Sequence, residues 1–475
     1  MAINSIIFWF AFIAVLLPYF TVLRHSAKAQ NVWLLAASYA IYGYADWRML
    51  PLLLAVTVFY YFLAPAIARN RQTNARRATT LSTVGIVVGV GVLWWFKYLN
   101  FCIEQFTELF NSAGIGASTS TMKIIMPVGI SFFTFKLISY TIEVRRGNIQ
   151  PERNFINFGT YVAFFPTIMS GPIDRPKPFL DQLRHNHLAN STDLSEGAKR
   201  VLWGFFLKMC IANRICIYTD SVFNHCFFHN GTTLIVASVL YLIQMYTDFS
   251  GYSHMAVGVS RMMGIRVMEN FQQPFFAQNV ADFWRRWHIS LSTWFKEYVY
   301  IPLGGNRKGK FRQYRNIAIV WLLTGFWHGA SWNFLIWGVY FGILLIIEKL
   351  FVGRLLSKLP AAVGHIYTMF LVCISWLIFY FTDISEGLVC LKAMFGIGVS
   401  SFATETVIYD FLRYLPLLLI CAVAATPLPR RLFEYLRGRF SAVRFASPVL
   451  MAASFFVAVA YMVDSTFSPF LYYIF

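Results

Sequence analysis

The chain has 475 residues, of which 58% are hydrophobic and 13% are charged, and its mean hydropathy is +0.56. Soluble domains are about half apolar and about a quarter charged, so this composition excludes burial of the apolar surface in one soluble core. The formal charge of +19 would suggest a nucleic-acid partner in a soluble protein. Here the basic residues occupy short loops between apolar segments, which is the positive-inside pattern of a polytopic membrane protein and requires no nucleic acid.

Apolar segments follow one another along the whole chain, and no Pro/Ser-rich linker separates them. We therefore expect a single transmembrane domain over residues 1–475. The first segment, 5–23, lacks a basic leader and a small-residue cleavage site, which indicates a retained span. The seven cysteines form no CxxC pair and lie mostly in apolar segments, so buried core cysteines are favoured over a metal site or a disulfide framework.

About twelve apolar windows are candidate membrane spans, although several are short. They cover residues 5–23, 31–46, 49–68, 80–99, 124–143, 199–219, 232–257, 315–329, 333–350, 361–382, 410–426 and 447–464. Basic stretches such as 69–77 and 430–440 fall on one side of these spans, and acidic residues such as Glu104 and Asp464 fall on the other. With basic loops in the cytoplasm, both termini are expected outside it.

Two segments do not fit simple spanning. Residues 155–173 are short, contain Pro166 and Pro172, and have arginines at both flanks, so this segment is predicted to be re-entrant. Residues 282–305 mix charges with many aromatic residues, which is typical of a helix at an interface or one that dips into a protein-lined cavity. The other interpretation of this second segment is a basic helix that rests on anionic headgroups.

His328 stands inside a long apolar run, residues 321–342. An ionisable residue within the membrane is costly, and it is a functional-site hypothesis by default. The alternative is that one ring nitrogen of His328 only hydrogen-bonds a neighbouring helix. Among the other histidines, His225 and His229 have the i, i+4 spacing of metal ligands, but neither a third ligand nor a glutamate is near them. We expect no metal there.

Five stretches of the chain carry a family resemblance that is far more specific than any short motif. They are PVGISFFTFKLISYTIEVRRG (127–147), FFPTIMSGPIDRP (164–176), YLIQMYTDFSGYSHMAVGVSRMMGI (241–265), ENFQQPFFAQNVADFWRRWHISLSTWFKEYVYIPLGGNR (269–307) and LLTGFWHGASWNF (322–334). In this order they resemble the membrane-bound O-acyltransferases. The resemblance is to the bacterial branch of alginate O-acetylase membrane subunits, peptidoglycan O-acetylating proteins and teichoic-acid D-alanyl transfer proteins. Asp174, His254 and Tyr380 depart from the usual family pattern.

The resemblance implies a fold of roughly 11–12 transmembrane helices plus re-entrant helices around a central tunnel. It implies a membrane O-acyltransferase that passes acetyl from a cytoplasmic thioester across the membrane for O-acetylation of an extracytoplasmic polysaccharide. The thioester is expected to be acetyl-CoA or an acyl carrier protein, with no bound cofactor, and the setting is the bacterial inner membrane with its lipids. An extracytoplasmic serine-type transfer protein is the expected partner that hands acetyl to the polysaccharide.

A multi-span transporter or channel is the competing function. It is suggested by the many spans, the re-entrant segments and the buried polar groups. Inverted internal repeats would favour it, but the histidine-bearing segments have no second copy in the sequence. The acyltransferase is therefore the favoured interpretation.

Two histidines match family positions. The resemblance implies that His328 is the general base, and a neutral imidazole suits removal of a hydroxyl proton near physiological pH. His288 matches the second family histidine, for which orienting or donor-side hydrogen bonding is favoured over direct chemistry, and a structural role is the alternative. Three tryptophans are expected either to line the tunnel or to pack as interface anchors, namely Trp284, Trp287 and Trp327.

A basic cluster near His288 is expected to meet a phosphate-bearing donor or the acidic face of a carrier protein. Its members are Arg285, Arg286, Lys296, Arg307, Lys308 and Lys310. The alternative is a lipid-facing basic loop. Asp248 lies in or near an apolar window and is expected to pair with one of the arginines or with a histidine. Three further polar residues near these motifs are weaker site candidates, namely Asn270, Asp282 and Asn333.

The sequence FLYYIF at 470–475 follows the final predicted span. One interpretation is an aromatic belt at the outer interface. The resemblance suggests another, because the ending looks like the F-x-Y-x-x-F tail of related acyl-transfer components, in which a phenol accepts the acyl group. Tyr472 holds that motif position and Tyr473 is the second choice. A phenol ester is more reactive than a sugar ester, so it can pass the acyl group onward.

Overall fold

The computed structural model of the protein describes residues 3–116, 118, 121–399, 401–403, 405–424, 426 and 428–464. Within these residues every regular element is helical. The chain divides into two compact units, Met1–Ala198 with Ala256–Met268, and Lys199–Met255 with Glu269–Phe475. Each boundary between the units falls inside or close to a helix, and the single domain expected from the sequence stays a prediction.

The helices of the first half of the chain are mostly long. They are α1 Ile6–Phe20, α2 Ala27–Asp46, α3 Leu50–Thr73, α4 Ala75–Lys97, α5 Leu99–Ser112, α6 Ile130–Arg146, α7 Phe155–Ala163, α8 Pro176–Gln182, α9 Ser191–Phe205, α10 Asn213–Phe223 and α11 Gly231–Met262. A π-helical segment, Phe206–Ala212, joins α9 to α10. In the first unit α3, α4 and α6 pack on one another, and α2 packs on α7.

The helices of the second half follow an irregular stretch after α11. They are α12 Val280–Arg286, α13 Ile289–Phe295, α14 Lys310–His328, α15 Trp332–Ile347, α16 Gly353–Leu356, α17 Ala361–Tyr380, α18 Ile384–Met394, α19 Glu405–Ala424, α20 Leu428–Arg439 and α21 Ser441–Asp464. In the second unit α15 packs on both α14 and α17, and α12 packs on α15 and α17.

Seven helical stretches among the described residues are long and apolar enough to cross a membrane. They are Ala27–Thr73, Ala75–Lys97, Ser191–Phe223, Gly231–Met262, Trp332–Leu356, Ala361–Tyr380 and Ser441–Tyr461. This confirms the all-α polytopic membrane protein expected from the composition. The first stretch joins two predicted spans, 31–46 and 49–68, and two predicted spans near the chain ends match shorter apolar helices, Ile6–Phe20 and Phe411–Ile420. The count of about twelve and the central tunnel stay predictions.

The segment predicted to be re-entrant is helical only in its first part. Helix α7 ends at Ala163, because Pro166 has no N–H to continue the helical hydrogen bonds. Residues 164–174 continue as buried chain without regular structure. The ammonium of Lys136 donates to the carbonyl of Tyr161 at 3.2 Å and to the hydroxyl of Thr167 at 3.0 Å. A buried lysine on α6 therefore secures this irregular segment within the first unit.

The basic and aromatic segment 282–305 begins with two short helices, α12 and α13, broken at His288, and continues as a π-helical stretch, Lys296–Tyr300, and a turn. Its aromatic side chains other than Tyr300 are buried, and so is His288, whereas the side chain of Arg285 is 69% exposed. A helix resting on headgroups would expose its charged face and leave its apolar face to lipid. The burial of Trp284, Trp287 and His288 in the protein core does not fit that alternative, and the segment is an integral part of the second unit.

Helices α9 and α11 approach each other closely at two glycines. A Cβ on Gly204 would lie 2.5 Å from the carbonyl oxygen of Gly251, and one on Gly251 would lie 2.8 Å from the carbonyl oxygen of Gly204. Both distances are too short for a side chain, so the two backbones are in direct contact. A polar pair lies on each side of the crossing, Arg200 with His254 and Lys208 with Asp248.

Helices α14 and α15 form a second close pair. A Cβ on Gly325 would lie 2.4 Å from the carbonyl oxygen of Phe334, and one on Gly338 would lie 2.4 Å from that of Trp321. Small residues at these positions allow the helices to pack backbone against backbone. The approach places the end of α14, where His328 lies, against the first turns of α15.

Candidate functional site

His328 is the last residue of α14 and is only 4% exposed. Its imidazole lies 4.9 Å from the indole of Trp337 and 5.3 Å from the ring of Phe379, both nearly perpendicular to it. The indole of Trp327 lies 4.9 Å away, also edge to face. Three aromatic rings, one each from α14, α15 and α17, therefore restrict the orientation of the imidazole. A fixed orientation is what a catalytic base requires.

Asn333 supports this arrangement from α15. Its Nδ2 donates a hydrogen bond of 2.9 Å to the carbonyl oxygen of Phe379, in the last turn of α17. A carbonyl in the last turn of a helix has no partner within the helix, so this side chain supplies one. Asn333 therefore ties α15 to the residue whose ring contacts His328. Its predicted part in substrate binding stays a prediction.

His288 lies between α12 and α13 and has a left-handed backbone, with φ of 43°. Its Nδ1 is 3.3 Å from Oδ1 of Asn270, and that oxygen also accepts from the backbone N–H of Ser290 at 3.2 Å and from its hydroxyl at 2.7 Å. The ring of Phe249 lies 4.8 Å away. Burial lowers the pKa of His288 to about 3, so its imidazole is neutral at physiological pH.

The two histidines contact the same indole. The ring of Trp327 lies 4.9 Å from His328 and 6.0 Å from His288. The structure therefore brings together two residues that the sequence places in separate motifs. Two imidazoles beside one indole have the chemistry of a base and of a hydrogen-bonding partner.

Trp284 and Trp287 belong to the aromatic packing around this site. Trp284 contacts rings of α14 and α15, and Trp287 contacts rings of α12 and α17 and of the stretch before α12. Trp284 contacts Trp321, Trp337 and Phe341. Trp287 contacts Phe271, Phe283 and Trp376, among others. These contacts support the packing interpretation of both tryptophans. The lining of a tunnel by either of them or by Trp327 stays a prediction.

Arg285 and Arg286 both form ion pairs with Asp282 in the first turn of the same helix. The nitrogen–oxygen distances are 3.1 Å and 3.0 Å. The side chain of Arg285 is 69% exposed, whereas those of Arg286 and Asp282 are partly buried. An ion pair with an exposed partner contributes little to stability, so the Arg285 guanidinium can change partner at small cost. Asp282 is therefore a partner of the two arginines, and their contact with a donor stays a prediction.

Asp248 pairs with a lysine that the sequence analysis did not single out. Its carboxylate forms an ion pair with the ammonium of Lys208, and both side chains are almost completely buried. Lys208 lies in the π-helical segment after α9. In the sequence it is a single lysine inside an apolar run, so it does not stand out as a site residue. The sequence analysis considered only the basic residues near the histidine motifs, and its expected pairing of Asp248 with an arginine or a histidine stays a prediction.

Tyr472 lies outside the residues that the structure describes. Over the described residues, no group of three or more His, Cys, Asp or Glu side chains is arranged to hold a metal ion.

Comparison with known proteins adds to this geometry. The sequence pattern of the MBOAT, membrane-bound O-acyltransferase family, matches residues 39–391. The chain is 40% identical over 408 residues to the probable alginate O-acetylase AlgI of Azotobacter vinelandii, covering 84% of this chain and 79% of that protein. It is 39% identical over 404 residues to the protein of the same name from Pseudomonas aeruginosa, covering 84% and 75%. It is 33% identical over 431 residues to the peptidoglycan O-acetyltransferase of Helicobacter pylori, covering 84% and 80%.

Proposed function

Because the chain belongs to the membrane-bound O-acyltransferase family, we propose that it passes acetyl from a cytoplasmic thioester across the membrane to an extracytoplasmic polysaccharide. As a member of that family it is an O-acyltransferase, so a transporter or channel without acyl chemistry is set aside. The observation that carries the proposal is that two buried histidines, His328 and His288, both contact the indole ring of Trp327. Relatives named for O-acetylation of alginate and peptidoglycan support acetyl as the group and a glycan as the acceptor.

The proposed reaction needs one base. A hydroxyl of the acceptor attacks the thioester carbonyl, the new C–O bond forms, and the C–S bond breaks. His328 takes the hydroxyl proton as the C–O bond forms and gives it to the departing thiolate, so the imidazole is unchanged after each cycle. His288 binds the donor side by hydrogen bonds. The structure supports these roles by burying both imidazoles among aromatic rings, where water is excluded.

The donor is acetyl-CoA or an acetylated acyl carrier protein, and no cofactor is bound. Both donors carry a phosphopantetheine arm, which exposed guanidinium groups bind through charge-assisted hydrogen bonds. Arg285 and Arg286 are suited to this contact because they lie on α12, which ends directly before the His288 turn. The short distance along the chain between these arginines and His288 supports a common role in donor binding.

The double substitution of Arg285 and Arg286 to glutamine should weaken donor binding. We expect KM for the thioester to rise about tenfold, because loss of two exposed charge-assisted contacts costs on the order of 1–2 kcal/mol, whereas kcat should change little. Thioester consumption by purified protein should be measured with labelled acetyl-CoA and with acetylated carrier protein in parallel. The donor that loses affinity is the physiological one.

The matched control is Arg431→Gln with Arg437→Gln on α20, which removes one exposed and one half-buried charge, as the Arg285 and Arg286 variant does. This control should keep the wild-type KM for either donor. An unchanged KM in the Arg285 and Arg286 variant would contradict donor binding by these arginines and favour the alternative that they contact lipid headgroups. A wild-type protein that consumes neither thioester would contradict the proposed function itself.

The proposed setting is the bacterial inner membrane, with both termini outside the cytoplasm. We propose that a separate extracytoplasmic serine-type transfer protein delivers acetyl to the polysaccharide. The basic loops support this orientation, since arginine and lysine favour the cytoplasmic side. Tagging each terminus and testing its access to an added protease in sealed cells would measure the orientation.

Tyr472 is proposed as the temporary acyl carrier at the outer end of the path. As the acceptor hydroxyl of the reaction above, its phenol oxygen would attack the thioester carbonyl: the C–O bond forms, the C–S bond breaks, and the phenol proton passes through His328 to the thiolate. A serine hydroxyl of the partner protein would then attack the phenyl ester, and the released phenolate would take the proton of that hydroxyl. Tyr472→Phe should reduce polymer acetylation to background while thioester binding is retained. Peptide mass spectrometry should find an acetylated C-terminal peptide in the wild type and none in His328→Ala. Normal acetylation in both Tyr472→Phe and Tyr473→Phe would leave the tail as an interface anchor.

A further inference from the structure

The side-chain oxygen of Asn270 determines which nitrogen of His288 carries the proton. The backbone N–H of Ser290 donates to this atom at 3.2 Å, and a backbone N–H can only donate, so the atom is the carbonyl oxygen of the amide. The hydroxyl of Ser290 lies 2.7 Å from the same oxygen. Because His288 Nδ1 faces this acceptor at 3.3 Å, Nδ1 must be the N–H nitrogen.

A neutral imidazole has one N–H and one lone pair. With the proton on Nδ1, the lone pair belongs to Nε2. His288 therefore presents a hydrogen-bond acceptor at Nε2, on the side of the ring away from Asn270. The amide N–H groups of a pantetheine arm, which acetyl-CoA and acetylated carrier protein share, are donors of the kind that this nitrogen accepts.

The backbone around Asn270 is hydrogen-bonded to the backbone on both sides of His288. The N–H of Ile289 donates to the carbonyl of Asn270 at 2.9 Å, and the N–H of Gln272 donates to the carbonyl of Arg286 at 3.0 Å. The left-handed conformation of His288 is held between these two bonds. Such a conformation is costly for a residue with a side chain, so it persists only where the surroundings impose it.

A polar chain anchors this element to the helices of the second unit. The carboxylate of Glu269, the residue before Asn270, receives both terminal nitrogens of Arg200 in a bidentate ion pair, with 2.6 Å between Nη1 and Oε1. The Nε of Arg200 donates to Nδ1 of His254 on α11 at 3.1 Å. The planar guanidinium thus joins α9, α11 and the segment that carries Asn270, which an ammonium group does not do.

We propose that Asn270 is a positioning residue of the acyltransferase site, which holds His288 as the Nδ1–H tautomer with Nε2 turned to the thioester donor, and that Arg200 and Glu269 hold Asn270 in place. The catalytic consequence rests on the proposed function, but the tautomer does not. Asn270 itself does not touch the reacting atoms. Its effect is on the orientation and protonation of the ring that binds the donor.

The first test is the tautomer of His288 in the full-length wild-type protein. The protein is labelled with ¹⁵N-histidine in detergent or lipid, and the His288 signals are identified by their loss in His288→Gln. We expect a protonated Nδ1 and an unprotonated Nε2. A protonated Nε2 overturns the proposal, whatever the activity of the protein. This measurement needs no variant of Asn270, so it stands even if such a variant fails to fold.

The second test uses Asn270→Asp and Asn270→Ala. Aspartate keeps an acceptor oxygen at the same position, so it should keep the tautomer and most of the activity. Alanine removes the acceptor, and kcat/KM for the thioester should fall about 10- to 100-fold, mainly through KM, as expected for loss of an outer hydrogen-bond partner. The matched control is Asn70→Ala, whose amide bonds only a carbonyl of its own helix, α3.

The outcomes separate this proposal from the proposed function. Full activity in Asn270→Ala, or equal losses in the alanine and aspartate variants, would overturn the positioning role. Arg200→Gln should show the same rise in KM in smaller measure, and Arg200→Lys should not restore the wild-type value. If the wild type consumes no thioester but shows the expected tautomer, the proposed function fails while the assignment of the ring protons stands.

Discussion

Replacing His328 with alanine should stop acetylation of the polymer while the protein still inserts into the membrane. General base catalysis contributes about 10²- to 10⁴-fold to the rate, so polymer acetyl content should fall to the level of cells without the protein. Insertion should persist, because most of the contacts between α14 and α15 are made by other residues. The measurement is the acetyl content of polymer from cells that express equal amounts of each variant.

Two further variants sharpen this prediction. His328→Gln fills most of the space among the surrounding rings but cannot act as a base at neutral pH, so it should be as inactive as alanine. His225→Ala removes an exposed histidine and should leave acetylation unchanged. Near-normal acetylation in His328→Gln would show that packing, and not proton removal, is what the site requires of residue 328.

Of all the proposed variants, Lys208→Met should lower the free energy of unfolding the most. The substitution leaves the carboxylate of Asp248 buried without its cationic partner, and breaking a buried ion pair in this way costs about 3–5 kcal/mol. The free energy of unfolding in detergent, or the temperature of half-unfolding, measures the loss. The double variant Lys208→Met with Asp248→Leu should recover most of it, because a well-packed apolar pair is often as stable as a buried ion pair.

Lys358→Met is the matched control for this series, because Lys358 is exposed in the short turn after α16. It should change the free energy of unfolding by less than about 0.5 kcal/mol. If the single and double variants at Lys208 and Asp248 lose equal stability, the two charges are not coupled. A loss confined to Asp248→Leu would assign the effect to packing around α11.

The helical architecture was predictable from local patterns in the sequence, and so was the position of His328 as a candidate, whereas His288 was singled out by the family resemblance. The apolar windows coincide with helices because membrane segments must satisfy their backbone hydrogen bonds internally. His328 is conspicuous as an ionisable residue in a long apolar run, and the break at Pro166 is a property of proline itself. Each of these signals depends on residues close together in the chain.

The partners of these residues were not predictable, since they depend on tertiary packing. Asn270 and His288 are eighteen positions apart, and an irregular stretch followed by the short helix α12 lies between them, so no periodicity of the sequence predicts their contact. Lys208 and Asp248 are forty positions apart, and the pattern of the chain does not show which charges meet. Arg200 is an ordinary helical arginine in the sequence, and only the structure shows that it bridges His254 and Glu269.

The crossing of α9 and α11 also determines the axial register of these two helices. Arg200 lies opposite His254, Gly204 opposite Gly251, and Lys208 opposite Asp248, in antiparallel order. A slip of one turn, about 5.4 Å, would set the Lys208 ammonium against the Gly251 backbone and force Gly204 against the His254 imidazole. Two purely apolar helix faces can shift along each other at little energetic cost. Here each helix carries a glycine between two polar residues, and only one alignment satisfies the glycine contact and both polar pairs. The height at which Glu269 holds Asn270 beside His288 is thereby set by the packing of α9 on α11.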